Sequence, residues 1–164
     1  FFGGTWSWQE ASHTPKSLLL AIGHDADDPE RQWWFTIGGG IEEGEDPAAG
    51  AVREVREETG IRLRVEELVG PVLYRTAEFD FAAVTARQDE WFFVARTECA
   101  EVSREGWTDL EKEVLDGLKW WDLDELEALD GAAEVYPRQL VGFAREWRDG
   151  WDGRLVSLTG AREP

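Results

Sequence analysis

Residues 39–61 read GGIEEGEDPAAGAVREVREETGI. Asp46 is placed as an N-cap, where its carboxylate can accept from the free amides of a first helical turn. Pro47 follows at the one helical position where a missing N–H costs nothing. Gly60 supplies the stop, because the left-handed residue that closes a helix is most often glycine. At about 100° per residue, Glu54, Glu57 and Glu58 then fall within roughly a third of the helix circumference. Ala48, Val52, Val55 and Thr59 take another side, with Ala51 at the border. One face is for packing and the other for charge.

Carboxylates spaced i, i+3 and i+4 repel by a few tenths of a kcal/mol per pair on an exposed helix. Arg53, four residues before Glu57, can hold one of them, but one guanidinium cannot neutralise three anions. Hard divalent cations take carboxylate and carbonyl oxygens, and Mg²⁺ is commonly held by few protein ligands plus substrate phosphates. A magnesium-bearing helix is therefore expected. A solvated acidic face is the ordinary alternative for a Glu-rich helix; the capped start, the Gly38–Gly40 turn and the spacing argue against it.

The stretch resembles the Nudix box, G-x5-E-x7-R-E-U-x-E-E-x-G-U with U a bulky aliphatic residue. Gly39, Glu45, Arg53, Glu54, Val55, Glu57, Glu58, Gly60 and Ile61 fill every fixed place without a gap. The resemblance implies a Nudix-like α/β/α sandwich with a mixed β-sheet, and hydrolysis of the pyrophosphate bond of a nucleoside diphosphate linked to another moiety. It implies Mg²⁺, with Mn²⁺ as a substitute, held by Glu54, Glu57, Glu58 and the Gly38 carbonyl. Arg53 would orient Glu57 by a charge-assisted hydrogen bond. Glu45 would support the loop or the helix start through the helix dipole. In such a reaction a carboxylate takes the proton of the attacking water. That base is either a box glutamate or one from a later loop, where Glu90, Glu111 and Glu113 are the candidates. Ala95 stands where some family members place a further acid. For substrate contact, Trp33 or Phe35 could stack on a base, with Trp34 sent to the opposite face by strand alternation, and Arg75 and Gln88 could meet phosphate or sugar.

The length of 164 residues suits one domain with a proper core, expected over residues 1–164 with 1–16 and 152–164 peripheral. A net charge of −18 argues against duplex nucleic acid, which is bound through a basic surface. It leaves nucleotides open, since a metal can screen their charge. The single cysteine, Cys99, excludes an intrachain disulfide. No apolar run approaches the ~20 residues that span a bilayer, and FFGGTWSWQE lacks the basic start and apolar core of a secretory signal. A cytoplasmic protein is expected, and a homodimer is compatible. With no Met even at position 1, the sequence is expected to be trimmed or renumbered.

Along the chain, alternation over residues 5–8 permits a first strand, in a segment that departs from the family's usual aliphatic opening. Residues 17–22 (SLLLAI) and 32–37 (QWWFTI) read as strands. Short strands are expected at 63–68 and 72–75, separated by Gly70 and Pro71, then a hairpin of 78–85 and 90–96. Residues 100–112 read as a polar loop and 117–121 as a last strand. Asp122 caps a helix through Leu129, and 137–151 forms a second helix with Leu140, Phe143, Ala144 and Trp147 on one side. The tail from Asp152 reads as loose. His13 and His24 lack metal-like partner spacing and read as surface.

Two other readings differ in class. A Nudix-fold module could sense a nucleotide without cleaving it, but such modules typically lose box acids and this chain keeps them. Isomerisation of an isoprenoid diphosphate on the same fold uses a cysteine ahead of the box, whereas Cys99 lies well after it. The family's substrate-class motifs are not evident, and Pro71 is too near the box for the proline of ADP-ribose enzymes. The motif defines the chemistry better than the substrate.

Overall fold

Strand β2 (Thr14–His24) is the spine of the sheet. Its residues Leu18, Leu19, Leu20 and Ala21 are all buried. Leu18 and Leu20 enter one core with Leu73, Phe92 and Val94. Leu19 and Ala21 enter a second core with Ile37, Val55 and Ile61. A strand covered on both faces has no reason to alternate, which is why SLLLAI is an unbroken apolar run. The structure is a computed structural model and describes residues 2–11, 14–24, 28–81, 84–97, 101–129 and 133–163. His13 and Cys99 lie outside the described residues.

The sheet runs in the order β6 (Leu115–Asp122), β2, β3 (Gln32–Gly40), β1 (Phe2–Ala11), β5 (Val84–Thr97), β4 (Val69–Phe81), β8 (Val156–Glu163). A short β7 (Glu134–Tyr136) adds parallel to β3. The sheet is mixed, because β1 is antiparallel to β3 and parallel to β5. Helix α1 (Pro47–Thr59) covers one face and buries Val55 and Ala51. Helices α3 (Leu123–Ala128) and α4 (Leu140–Trp147) cover the other through Leu123, Leu126, Leu140, Ala144 and Trp147. This is the expected α/β/α sandwich. Burying a leucine such as Leu140 contributes about 2 kcal/mol, and Leu140→Ala would remove that and open a cavity.

Several elements differ from the sequence reading, each for a physical reason. Residues 63–68 form no strand. The Glu67 carboxylate accepts from Arg64 N at 2.8 Å and folds Val65–Glu67 into a 3₁₀ turn that leaves Val65 exposed. Gly70 and Pro71 do not separate two strands. They lie inside β4, where pairing with β5 shifts register between Val69 and Leu73, the kind of place that tolerates proline in a sheet. The hairpin pairs Phe81 with Val84, so residues 86–89 are strand and not turn. Helix α2 (Asp109–Val114) stands in what read as loop, begun by a capping box between Thr108 and Glu111. Helix α4 is shorter than expected. It starts only after a Pro137–Leu140 turn, and its last carbonyls, Trp147 O and Arg148 O, accept from Arg96 Nη2 at 3.3 and 3.0 Å. The tail is not loose, since β8 pairs in parallel with β4. The first strand is not peripheral, since it lies between β3 and β5.

Candidate active site

Helix α1 forms as its sequence dictates. Asp46 Oδ1 accepts from Ala48 N at 2.9 Å, Pro47 opens the first turn, and Gly60 closes the last at φ 75°. The strand β3 brings its terminal glycines directly against this helix. A Cβ on Gly39 would sit 2.5 Å from a Glu54 carboxylate oxygen, so only glycine lets strand and carboxylate share that space.

Arg53 organises the acids, and all five of its N–H groups are engaged. Nε and Nη2 take the two oxygens of Glu45 at 3.0 and 2.9 Å, a bidentate pair. Nη2 also donates to Gly40 O at 2.7 Å. Nη1 reaches Glu54 at 2.7 Å and Glu57 at 3.2 Å. The expected bond from Arg53 to Glu57 is present, and shorter bonds from the same guanidinium clamp Glu45 and Glu54 as well. Glu45 is held by this pair and accepts from the Glu42 amide at 2.9 Å, which supports the loop at the helix start. The guanidinium holds the Glu45 carboxyl down at about 2.

The remaining acids separate by burial. Glu54 and Glu58 are 8% and 4% exposed. Glu58 accepts from the Gly38 amide at 3.1 Å, yet burial pushes its carboxyl up to about 8, with Glu54, Glu111 and Glu57 adding to the rise. Burial also raises Glu54, against the opposing pull of Arg53. The Glu57 side chain is 47% exposed. It does not join the inner cluster; Glu111 from α2 does, with one oxygen each from Glu54, Glu58 and Glu111 lying within 4.8 Å of one another. At an effective dielectric of about 20, charges that close repel by about 3 kcal/mol per pair. Among the described residues no Lys or Arg pairs with Glu58 or Glu111. Among the described residues Arg53 reaches only the Glu54 member of this cluster, so the three converging carboxylates still call for an extra proton, in line with the raised Glu58, or a divalent cation. The donor set therefore fits Mg²⁺ or Mn²⁺.

A match to the NUDIX domain covers residues 11–140. The chain belongs to the NUDIX family. An RNA pyrophosphohydrolase of Rhizobium meliloti (strain 1021) is 54% identical over 43 residues, 26% of either chain. A dihydroneopterin triphosphate diphosphatase of Escherichia coli (strain K12) is 35% identical over 94 residues, 52% of this chain and 59% of that one. These alignments span less than two thirds of either relative. The structure of the E. coli dihydroneopterin triphosphate pyrophosphohydrolase superposes with a TM-score of 0.56 at 25% identity, covering 87% of this chain and 92% of that one.

Around the NUDIX helix the other candidates sort clearly. Glu90 is buried in an ion pair with Arg75, across the β4–β5 ladder. Arg75, Glu90 and Gln88 share by alternation the face of Leu73 and Phe92, the side of α3 and α4. The structure therefore turns Arg75 and Gln88 away from α1. Glu113 is exposed on α2 and outside the cluster. Trp33 and Phe35 share Gly39's face by alternation, but Phe35 packs on the Ile37 core and Trp33 stands near Arg31, 5.9 Å from guanidinium carbon to ring centre. Trp34 goes to the other face, edge-on to Trp121 at 5.0 Å. His24 pairs with Asp116 at 3.0 Å. A cleft of about 710 Å³ opens beside β7, α3 and α4, on the face away from α1, lined by Arg31, Tyr136, Arg138 and Arg145. Arg145 is engaged there by Asp124 and Glu127 at 2.6 and 2.5 Å. Among the described residues that cleft carries no such convergence of acids, whereas Glu54, Glu58 and Glu111 meet on the α1 side, and this chemistry decides the choice.

What the sequence reading missed is the segment ahead of Glu111. Thr108 and Glu111 spell a capping box, T-x-x-E, a signal legible without a structure.

Proposed function

We propose that the chain hydrolyses, with Mg²⁺ or Mn²⁺, the pyrophosphate bond of a nucleoside diphosphate linked to another group. The observation that carries this reading is the convergence of Glu54, Glu58 and Glu111 on one point beside a complete box. Glu54 and Glu58 would hold the ion with Glu111, and Glu57 and the Gly38 carbonyl remain ligands on the strength of the family pattern. Bound there, the metal supplies charge neutralisation and a water of lowered pKa. Arg53 fixes the Glu54 carboxylate by a charge-assisted bond, and Gly38 N–H fixes that of Glu58. Thr108 holds one Glu111 oxygen through its hydroxyl at 2.7 Å, which leaves the other to face Glu54 and Glu58 as an ion ligand; the water's proton goes to a glutamate of this site that the ion does not hold. The bare backbone of Gly39 leaves the room that the Glu54 carboxylate occupies.

For substrate we favour a compact triphosphate or diphosphate conjugate, following the name of the E. coli relative, which aligns over the longer stretch. The net charge of −18 weighs against duplex nucleic acid as a partner. Purified chain should release phosphate, through a coupled phosphatase, from one member of a panel of nucleoside triphosphates, dihydroneopterin triphosphate, 5′-triphosphate RNA, nucleotide sugars and dinucleoside polyphosphates. EDTA should stop the release and Mg²⁺ restore it. A rate indifferent to EDTA, or tight binding across the panel with no turnover, would sink the proposal; the second result would favour a sensing module.

A further inference from the structure

An α-helix ends with carbonyls that have no partner inside it. At the end of α1 three consecutive ones meet the segment 103–107. Thr59 O accepts from Ser103 N at 2.7 Å. Glu58 O accepts from the Trp107 indole Nε1–H, also at 2.7 Å. Glu57 O lies so close to Gly106 that a Cβ there would come within 2.2 Å of it. Trp107 is 5% exposed, yet it belongs to neither hydrophobic core of the sandwich. Its turn is closed by Trp107 N donating to Arg104 O at 3.2 Å, and the Arg104 guanidinium stands 5.1 Å over its ring.

The chain continues from this dock straight into the acid cluster. Thr108 caps α2, and the Glu111 carboxylate accepts from Thr108 N and Oγ1 at 2.5 and 2.7 Å. A helix of 6 residues is too short to hold its own position. Where Glu111 points is therefore set by its flanking anchors, strand β6 after it and residues 103–108 before it, and only the second of these reaches α1.

We propose that Trp107 is a positioning residue. Its indole N–H, docked on the Glu58 carbonyl, registers the 103–111 segment against α1 and so delivers the Glu111 carboxylate to Glu54 and Glu58. This rests on the reading of those three acids as an ion site. The same residue whose side chain faces the ion thereby fixes, through its backbone, the arrival of the third carboxylate.

The test is Mn²⁺ binding by the purified chain, followed by the electron paramagnetic resonance of free Mn²⁺, for Trp107→Phe, Glu111→Gln, the double variant and Glu58→Gln. Phenylalanine keeps the buried ring and loses only the donor. Trp107→Phe should weaken Mn²⁺ about tenfold, as removal of an outer support typically does, and Glu111→Gln by a similar factor. The double variant should be no more than about twofold worse than either single one, because both remove the same carboxylate from the site. Mn²⁺ affinity unchanged in Trp107→Phe, or losses that multiply in the double variant, would overturn the assignment. Should Trp107→Phe not fold, Gly106→Ala displaces the same dock and must show the same loss and the same non-additivity. Glu58→Gln separates the two levels: if it binds Mn²⁺ as tightly as the parent, the ion site itself is misread, whereas a loss there with normal binding in Trp107→Phe defeats the positioning role alone.

Discussion

Two acidic segments meet at this site, and they are built in opposite ways. Helix α1 has 13 residues, its own N-cap, a proline start and a glycine stop, and it buries Ala51, Val55 and Thr59 beside Glu54 and Glu58. Helix α2 has 6 residues and takes its place from what flanks it, the segment 103–107 docked on α1 and the strand β6 it runs into and packs on. The first carries its position in its local sequence. The second borrows its position from a neighbour about 50 residues earlier in the chain, through one indole and a run of backbone carbonyls. A charge site assembled from one rigid and one borrowed element should respond unequally when each is disturbed.

Changes to the buried acids of the rigid element should be the most severe. Glu58→Gln and Glu54→Gln should each lower kcat/KM by at least about 100-fold with the fold retained by circular dichroism, since each removes an inner charge from a water-poor cluster. Comparable activity in either would break the comparison at its strong end. Arg53→Lys comes next. A lysine cannot reproduce the fork on Glu45 together with the bonds to Glu54 and Gly40 O, and a loss of about 10- to 100-fold in kcat/KM is expected. Glu57→Gln is the sharpening case. Its carboxylate is half exposed beside Arg53, so a loss of about tenfold is expected, and a loss equal to that of Glu58→Gln would return Glu57 to the inner set that the family pattern implies.

A smaller effect is thermodynamic. Glu58 is raised from an ordinary 4.5 to about 8 by burial, so the folded, metal-free chain holds a proton that the unfolded chain has released. That contribution is complete below about pH 4.5 and is lost as pH rises toward 8. Melting in EDTA should therefore drop by several degrees between pH 5 and 8, and Glu58→Gln should flatten the slope. Glu45 runs the other way: held at about 2 by Arg53, it contributes above about 4.5 and loses that contribution as pH falls toward 2. A melting temperature that rises from pH 5 to 8 without metal would contradict the burial of Glu58. The smallest effect belongs to the exposed end of the borrowed element, where Glu113→Gln should stay within about twofold of the parent rate, surface changes being nearly neutral.

The sequence made the rigid element legible because every signal it needs is local. Asp46, Pro47 and Gly60 bracket α1 without reference to the rest of the fold, and SLLLAI announces a doubly covered strand by composition alone. What escaped was held by distant partners. The polar run VSLTGARE becomes a strand only because β4 offers it a parallel edge. Arg75 looks like a phosphate ligand until strand register sets it against Glu90 on the far face. Trp107 gives no hint in sequence, since its partner is a main-chain oxygen that any residue at position 58 would supply. Glu111 stood among three candidates, and only the contact between α1 and α2 distinguishes it.

The full engagement of the Arg53 guanidinium has a further result. With all five donors already given to the protein itself, this side chain has nothing left to offer an arriving polyphosphate. On the proposed chemistry the charge of such an anion falls to the ion that Glu54, Glu58 and Glu111 would hold, and not to this guanidinium.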